Sequence, residues 1–442
     1  MIRIAPYSAR ARAILSALLL SCASALPACA QTVPPVATAV AAPAPAQTVP
    51  LADNAPVTLL IGIDGFRPDY LDRGITPAMS ALRASGTMAH MRPSFPSKTF
   101  PNHFTLVTGM RPDHHGIVGN SMIDPARPGQ MFSLGDARQS LDPFWWNQAE
   151  PIWITAERAG VRTATMFWPG SEVANHDVRP HDWVRFDQNV SGEQRVNGVL
   201  DWLRRPADIR PRFITVYFDT VDTAGHRFGP DSAEVNAAIA EVDGQVGDLV
   251  TRARAMGRTL NIVIAADHGM AAVSADRAIQ LDTLIDRQSY IAVETGPYAA
   301  IEPVTGTDNR VYDALLKPHE HMACYRKEDL PERLHYGQNA RVAAIVCLAE
   351  AGWSIISGTP QYPLTGATHG WDPAWAEMDA LFLANGPAFR SGLTLPTFDN
   401  VHVQPLLAQV MGVTPPASDG SIATLAPALV NPPAVPSSRT RR

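Results

Sequence analysis

Carboxylates and imidazoles recur in this 442-residue chain just after apolar runs. Asp64 follows Val57 to Ile63, and Asp222 and His226 come soon after Phe213 to Phe218. Asp267-His268-Gly269 closes the run from Leu260, and His369 stands in Thr368-His369-Gly370. Asp222 and His226 are four residues apart, so one helical turn presents both on the same side. Taken singly these are ordinary: an Asp after a strand is most often a cap or turn residue, and a D-x-x-x-H is most often an exposed pair. Together with Thr99 they make a set of Asp, Thr, Asp, His, Asp, His and His. Mixed nitrogen and oxygen donors without thiolate suit zinc, with manganese or iron allowed by ligand type.

The elements that must position this set read as alternating strands and helices. Val57–Ile63 is a continuous apolar run rich in β-branched residues, as in strands covered on both faces; Phe213–Phe218 and the segments 162–168 and 260–266 read the same way, and 378–384 is a further run. Between them the segment 232–256 places Val235, Ile239, Val242, Val246 and Leu249 on one helical face. Buried strands separated by helices imply an α/β fold with a mostly parallel central sheet flanked by helices. In such sheets ligands bind outside the carboxyl ends of the strands, where three of these runs deliver Asp or His. Residues 56–270 and 365–430 are expected to form the core, and the mixed segments of 271–364 a small inserted subdomain.

The ends of the chain differ in composition from its middle. Arg3, Arg10 and Arg12 precede an apolar run to about Leu26, and Ala28-Cys29-Ala30 offers small residues for cleavage, so 1–30 reads as a secretory signal. The run is too short to span a bilayer, so no stable membrane span is expected; Cys22 and Cys29 leave a lipoprotein signal as an alternative. A periplasmic or secreted location follows. The Pro- and Ala-rich segment 31–55 reads as an extended tether and 431–442 as a flexible tail. Losing 1–30 removes three arginines and no acidic residue, which takes the formal charge from −6 to −9. No basic stripe appears, which argues against a nucleic acid polymer as partner. Cys324 and Cys347 remain; export permits a disulfide between them, but spacing alone leaves paired and free thiols both open.

The motifs carry a more specific message. Ile63-Asp64-Gly65-Phe66-Arg67, Pro96-Ser97-Lys98-Thr99-Phe100-Pro101-Asn102-His103, His115-Gly116-Ile117-Val118-Gly119-Asn120, Trp168-Pro169-Gly170-Ser171, Asp222-Thr223-Ala224-Gly225-His226, Ala266-Asp267-His268-Gly269-Met270 and Thr368-His369-Gly370 occur in this order. In these the chain resembles the nucleotide pyrophosphatase/phosphodiesterase family of the alkaline phosphatase superfamily. The resemblance implies two zinc ions, one held by Asp222, His226 and His369 and the other by Asp64, Asp267 and His268, with Thr99 between them as nucleophile. It implies that Asn120 donates to a non-bridging phosphate oxygen, with the backbone N–H of Phe100 as a second donor. Phe100, Tyr217 and either Phe186 or Trp183 would form an aromatic slot for a base. The implied substrate is a small nucleotide-type phosphodiester or phosphoanhydride.

Other activities of the superfamily leave different marks. A sulfatase would follow its nucleophile with x-Pro-x-Arg, which Thr99-Phe100-Pro101-Asn102-His103 does not. An alkaline phosphomonoesterase would bring a cationic pair for the extra monoester charge, whereas Trp168-Pro169-Gly170-Ser171 offers none. A phospholipid or choline-phosphate diesterase competes within the same fold, since aromatic residues also hold quaternary ammonium groups. A zinc-dependent binding protein without turnover would not need the nucleophile and its oxygen donor together. One departure from the family pattern is Val221, where relatives commonly have proline.

Overall fold

The computed structural model describes residues 55–359 and 364–433. The expected signal segment 1–30, the tether except for residue 55, and most of the tail lie outside the described residues. The central sheet contains, in chain order, β1 (Val57–Ile63), β2 (Thr87–Arg92), β3 (Thr163–Met166), β4 (Asp182–Val184), β5 (Phe213–Phe218), β6 (Leu260–Ala265), β7 (Ala380–Asn385), β8 (Leu393–Thr394) and β9 (Phe398–Asp399). Their spatial order is β8-β2-β7-β6-β1-β5-β3-β4, with β9 also on β2. The pairs β1/β5, β1/β6, β3/β5 and β3/β4 are parallel, and β7 runs antiparallel to both β6 and β2. Every residue of β1, β5, β6 and β7 is buried, as strands covered on both faces require.

Helices cover the sheet and carry part of the site: α1 (Pro77–Ala84), α2 (Thr99–Thr108), α3 (Gly192–Arg204), α4 (Thr220–Phe228), α5 (Ala233–Ala255) and α6 (Val403–Met411). Helix α5 starts at Ser232, whose hydroxyl accepts from the Val235 N–H. It buries Val235, Ile239, Val242, Val246 and Leu249, the stripe anticipated from spacing. The segment 162–168 is shorter as a strand than expected. Phe167 adopts φ 62, a left-handed conformation, so the chain leaves the sheet before Trp168.

Within 271–364 the chain forms a second, four-stranded antiparallel sheet of Tyr290–Glu294, Tyr298–Pro303, Met322–Arg326 and Ile345–Ala349. Cys324 and Cys347 stand opposite each other on neighbouring strands and form a disulfide. The loop after this sheet's third strand is bound tightly to the catalytic half. Asp113 accepts from the backbone N–H groups of Gly337, Gln338 and Asn339 at 2.7–3.0 Å. The buried Arg341 guanidinium donates to Asp124, Gly116 O, Trp145 O and Phe144 O.

Candidate active site

The carboxyl ends of β1, β5 and β6 lie side by side, and each hands over a side chain at once: Asp64 after β1, Asp222 and His226 on α4 after β5, and Asp267 and His268 after β6. The reversed β7 brings in the last one. Because β7 opposes β6, its entry end sits at the exit end of β6, with Phe382 beside Ala265. His369, upstream of β7, is thereby delivered to the same rim. Thr99 is the first residue of α2, where unpaired helix amides favour an anion.

The histidines share one arrangement. Nδ1 donates to a main-chain carbonyl in each: His226 to Ala367 O at 2.9 Å, His268 to Gly269 O at 2.9 Å, and His369 to Ser97 O at 2.8 Å. With Nδ1 so engaged, Nε2 is the ring nitrogen turned inward and available as a ligand, the orientation that metal-ligating histidines take from their outer partners. His226 Nε2 lies 3.4 Å from Asp222 Oδ2, and His369 Nε2 3.7 Å from Asp222 Oδ1. His268 Nε2 lies 3.3 Å from Asp64 Oδ1, 2.9 Å from Asp267 Oδ2 and 3.3 Å from Thr99 Oγ1. Asp64 Oδ1 and Asp222 Oδ1 are buried and accept no hydrogen bond. Buried carboxylate oxygens without a hydrogen-bond partner are costly unless a cation joins them.

Electrostatics point the same way. Burial, followed by the neighbouring Asp267 and Asp222, pushes the Asp64 carboxyl well above its ordinary value. Burial, with His268, Lys98 and His226 adding to it, holds His369 well below its ordinary value, so the ring stands neutral as ligation requires. Asp222, His226 and His369 form one group able to hold a metal ion, and Asp64, Asp222 and His268 form another. The residues present therefore fit metal, with Asp222 able to reach both positions. Asp267 reaches its neighbours differently from expectation. Its Oδ1 accepts from the Gly65 N–H at 3.2 Å, and its Oδ2 faces both His268 and His103.

His103 was quoted in the sequence motif without a role. It lies one helical turn after Thr99, fully buried, and its Nδ1 donates to Thr99 O at 3.0 Å while standing 3.2 Å from Asp267 Oδ2. That placement braces the Thr99 backbone and a carboxylate at once; the spacing of four from Thr99 was the available signal. Tyr217 likewise does more than line a slot, since its hydroxyl donates to Asp64 Oδ2 at 2.5 Å.

A cavity of about 560 Å³ opens over Thr99, Asp64, Asp222 and His369. Phe100, Asn120, Phe186 and Tyr217 all line it; Trp183 does not, and lies at the surface beside Arg179. Leu134, Trp146 and Arg185 also line it, and nothing in the local sequence marked them. One expectation is corrected. The Phe100 N–H donates to Asn120 Oδ1 at 3.0 Å and is therefore occupied rather than a free second donor. The same bond turns the Asn120 NH2 group away from Phe100. Val221, the departure from the family pattern, is buried within α4 and leaves the helix carrying Asp222 and His226 intact.

Comparison with known proteins agrees with this geometry. The family described as "Type I phosphodiesterase / nucleotide pyrophosphatase" matches residues 58–372. The chain is 36% identical over 386 residues to Bis(5'-adenosyl)-triphosphatase enpp4 of Xenopus laevis, covering 86% of this chain and 83% of that protein. It is 36% identical over 384 residues to ectonucleotide pyrophosphatase/phosphodiesterase family member 5 of Homo sapiens, covering 86% and 80%. A solved structure of the murine family member 5, an inactive variant in complex with AMP, superposes with a TM-score of 0.81 at 35% identity. It covers 85% of this chain and 100% of that one. The α/β fold, the metal-capable rim and these relatives together make the chain an enzyme of the type I phosphodiesterase / nucleotide pyrophosphatase family.

Proposed function

We propose that this enzyme is a zinc-dependent phosphodiesterase that hydrolyses nucleotide-type phosphodiesters or phosphoanhydrides through a covalent intermediate on Thr99. The observation that carries this reading is the inward convergence of the Nε2 atoms of His226, His268 and His369 and the orphan oxygens of Asp64 and Asp222 around Thr99. These residues with Asp267 would hold two zinc ions, which would supply positive charge to lower the pKa of a hydroxyl and offset charge in the transition state. Thr99 Oγ1, its proton passing to solvent, attacks phosphorus in line as the bond to the leaving oxygen breaks, giving a phosphothreonine diester and the free leaving group. Water then attacks from the opposite side, the bond from phosphorus to Oγ1 breaks, a proton from that water passes to Thr99 Oγ1, and the nucleotide is released. Asn120 donates its side-chain N–H to a non-bridging oxygen throughout. Phe100, Phe186 and Tyr217 offer aromatic surface to a base.

The relatives support the substrate class: one is named as a bis(5'-adenosyl)-triphosphatase, and another was solved with AMP. An exported location rests on the reading of residues 1–30, and the Cys324–Cys347 disulfide suits an oxidising compartment. Among the described residues no helix is long and apolar enough to cross a membrane. The test compares thymidine 5'-monophosphate p-nitrophenyl ester, p-nitrophenylphosphorylcholine and p-nitrophenyl phosphate. The nucleotide diester is expected to give the highest kcat/KM, more than about tenfold above the monoester, or roughly 1.4 kcal/mol of transition-state preference. A faster monoester or choline ester overturns the assignment.

A further inference from the structure

We propose that Glu294, carried by the second sheet, is a positioning residue for the side-chain amide of Asn120. It ends the strand Tyr290–Glu294, more than 170 positions from Asn120, and reaches the segment that directly follows Asn120. Its Oε2 accepts from the Ser121 N–H at 2.9 Å, and its Oε1 lies 3.8 Å from Lys98 Nζ. Lys98 directly precedes Thr99, and Ser121 directly follows Asn120, whose Oδ1 accepts from the Phe100 N–H. One buried carboxylate thus joins the two segments that bracket the nucleophile. Space has been left for it: a Cβ on Gly119 would stand 2.9 Å from Glu294 Oε2. A Cβ on Gly370 would stand 2.7 Å from Lys98 Cε. Neither Lys98 nor Glu294 is among the residues that line the cavity; the carboxylate acts through the Ser121 amide next to Asn120.

The inference rests on the oxygen-donor role of Asn120 proposed above, and a double-mutant cycle on the full chain separates the two. Asn120→Ala, Glu294→Ala, Glu294→Asp, Glu294→Gln and Asn120→Ala/Glu294→Ala are compared for kcat, KM and metal content on the nucleotide diester. Misalignment forfeits part of the roughly 100- to 1,000-fold that a lost oxygen donor costs, so Glu294→Ala should lower kcat about tenfold with KM unchanged. Glu294→Asp, which keeps the charge but falls short of the Ser121 amide, should lose as much and serves if the Ala variant does not fold. Glu294→Gln, which keeps an acceptor at full reach, should recover most of kcat. In the Asn120→Ala background the Glu294→Ala loss should vanish, with metal content unchanged in all variants. Additive losses, an unaffected Glu294→Ala, or loss of metal in place of kcat would overturn the positioning role while leaving Asn120's intact. An unimpaired Asn120→Ala would overturn both.

Discussion

The hydrogen bond from the Phe100 N–H to Asn120 Oδ1, at 3.0 Å, makes a sharp prediction for two substitutions at position 120. With Oδ1 engaged, the NH2 group is what faces the cavity. Asn120→Ala removes that donor, which in comparable sites costs about 2.7–4 kcal/mol, or roughly 100- to 1,000-fold in kcat. It also frees the Phe100 N–H at the start of α2 to donate in its place, so the loss should fall near the lower end. Asn120→Asp is nearly isosteric and keeps the acceptor for Phe100, but it puts a carboxylate oxygen where the donor stood. Two unit charges about 4 Å apart at an effective dielectric near 20 repel by about 4 kcal/mol. Solvent in the open cavity screens much of this, which leaves about tenfold or more beyond the Ala loss. Steady-state kinetics at pH 8 on the nucleotide p-nitrophenyl diester should therefore rank the wild type far above Ala, and Ala above Asp. An Asp variant equal to the wild type, or an Ala variant within about threefold of it, would refute the reasoning that the NH2 group binds phosphate oxygen.

Purified enzyme should contain close to two zinc equivalents, and His369→Ala should lose mainly one of them with nearly all activity; full activity in a sample proven metal-free would end the proposed mechanism. Chelation should lower Tm, because metal bound only to the folded state stabilises it. Thr99→Ala should lose several orders of magnitude in kcat yet keep its zinc, and Thr99→Ser should stay partly active. A diester chiral at phosphorus should be hydrolysed with net retention, whereas inversion would exclude the covalent route. Breaking the Cys324–Cys347 disulfide should destabilise the protein by about 2–4 kcal/mol in denaturant titration, and two thiols alkylatable without reduction in exported protein would refute the pairing.

Much of the core could be read from the chain because its signals are local. Val57–Ile63 and Phe213–Phe218 match β1 and β5 to the residue, since a short apolar run rich in β-branched residues has few other uses. The 260–266 run and the helical face of 232–256 were equally plain. The direction of β7 was not, because an apolar run buried on both faces looks the same whichever way it points. The same limit applied to the site. Side chains following strands were visible as motifs, and the structure brings Asp64, Thr99, Asp222, His226, Asp267, His268 and His369 to one rim. What escaped were relationships across distance: the amide already claimed by Asn120, Trp146 and Arg185 reaching the cavity, and Glu294 arriving from another sheet. Each depends on how separate elements pack, and no periodicity encodes that.

The clamp of Asp113 on the 337–339 loop, with Arg341 beneath it, bears on how the enzyme works in time. A carboxylate that captures three successive amides, beside a buried guanidinium with four oxygen partners, cannot be parted without stranding charge away from water. Parting the second sheet from the catalytic half should therefore cost far more than opening an ordinary surface loop, which favours one cooperative unit over a hinged lid. The segment that carries Glu294 should then hold its place through the catalytic cycle. On that basis discrimination among substrates belongs to a cavity formed in advance, and turnover should not wait on domain closure of the kind that limits enzymes with mobile lids.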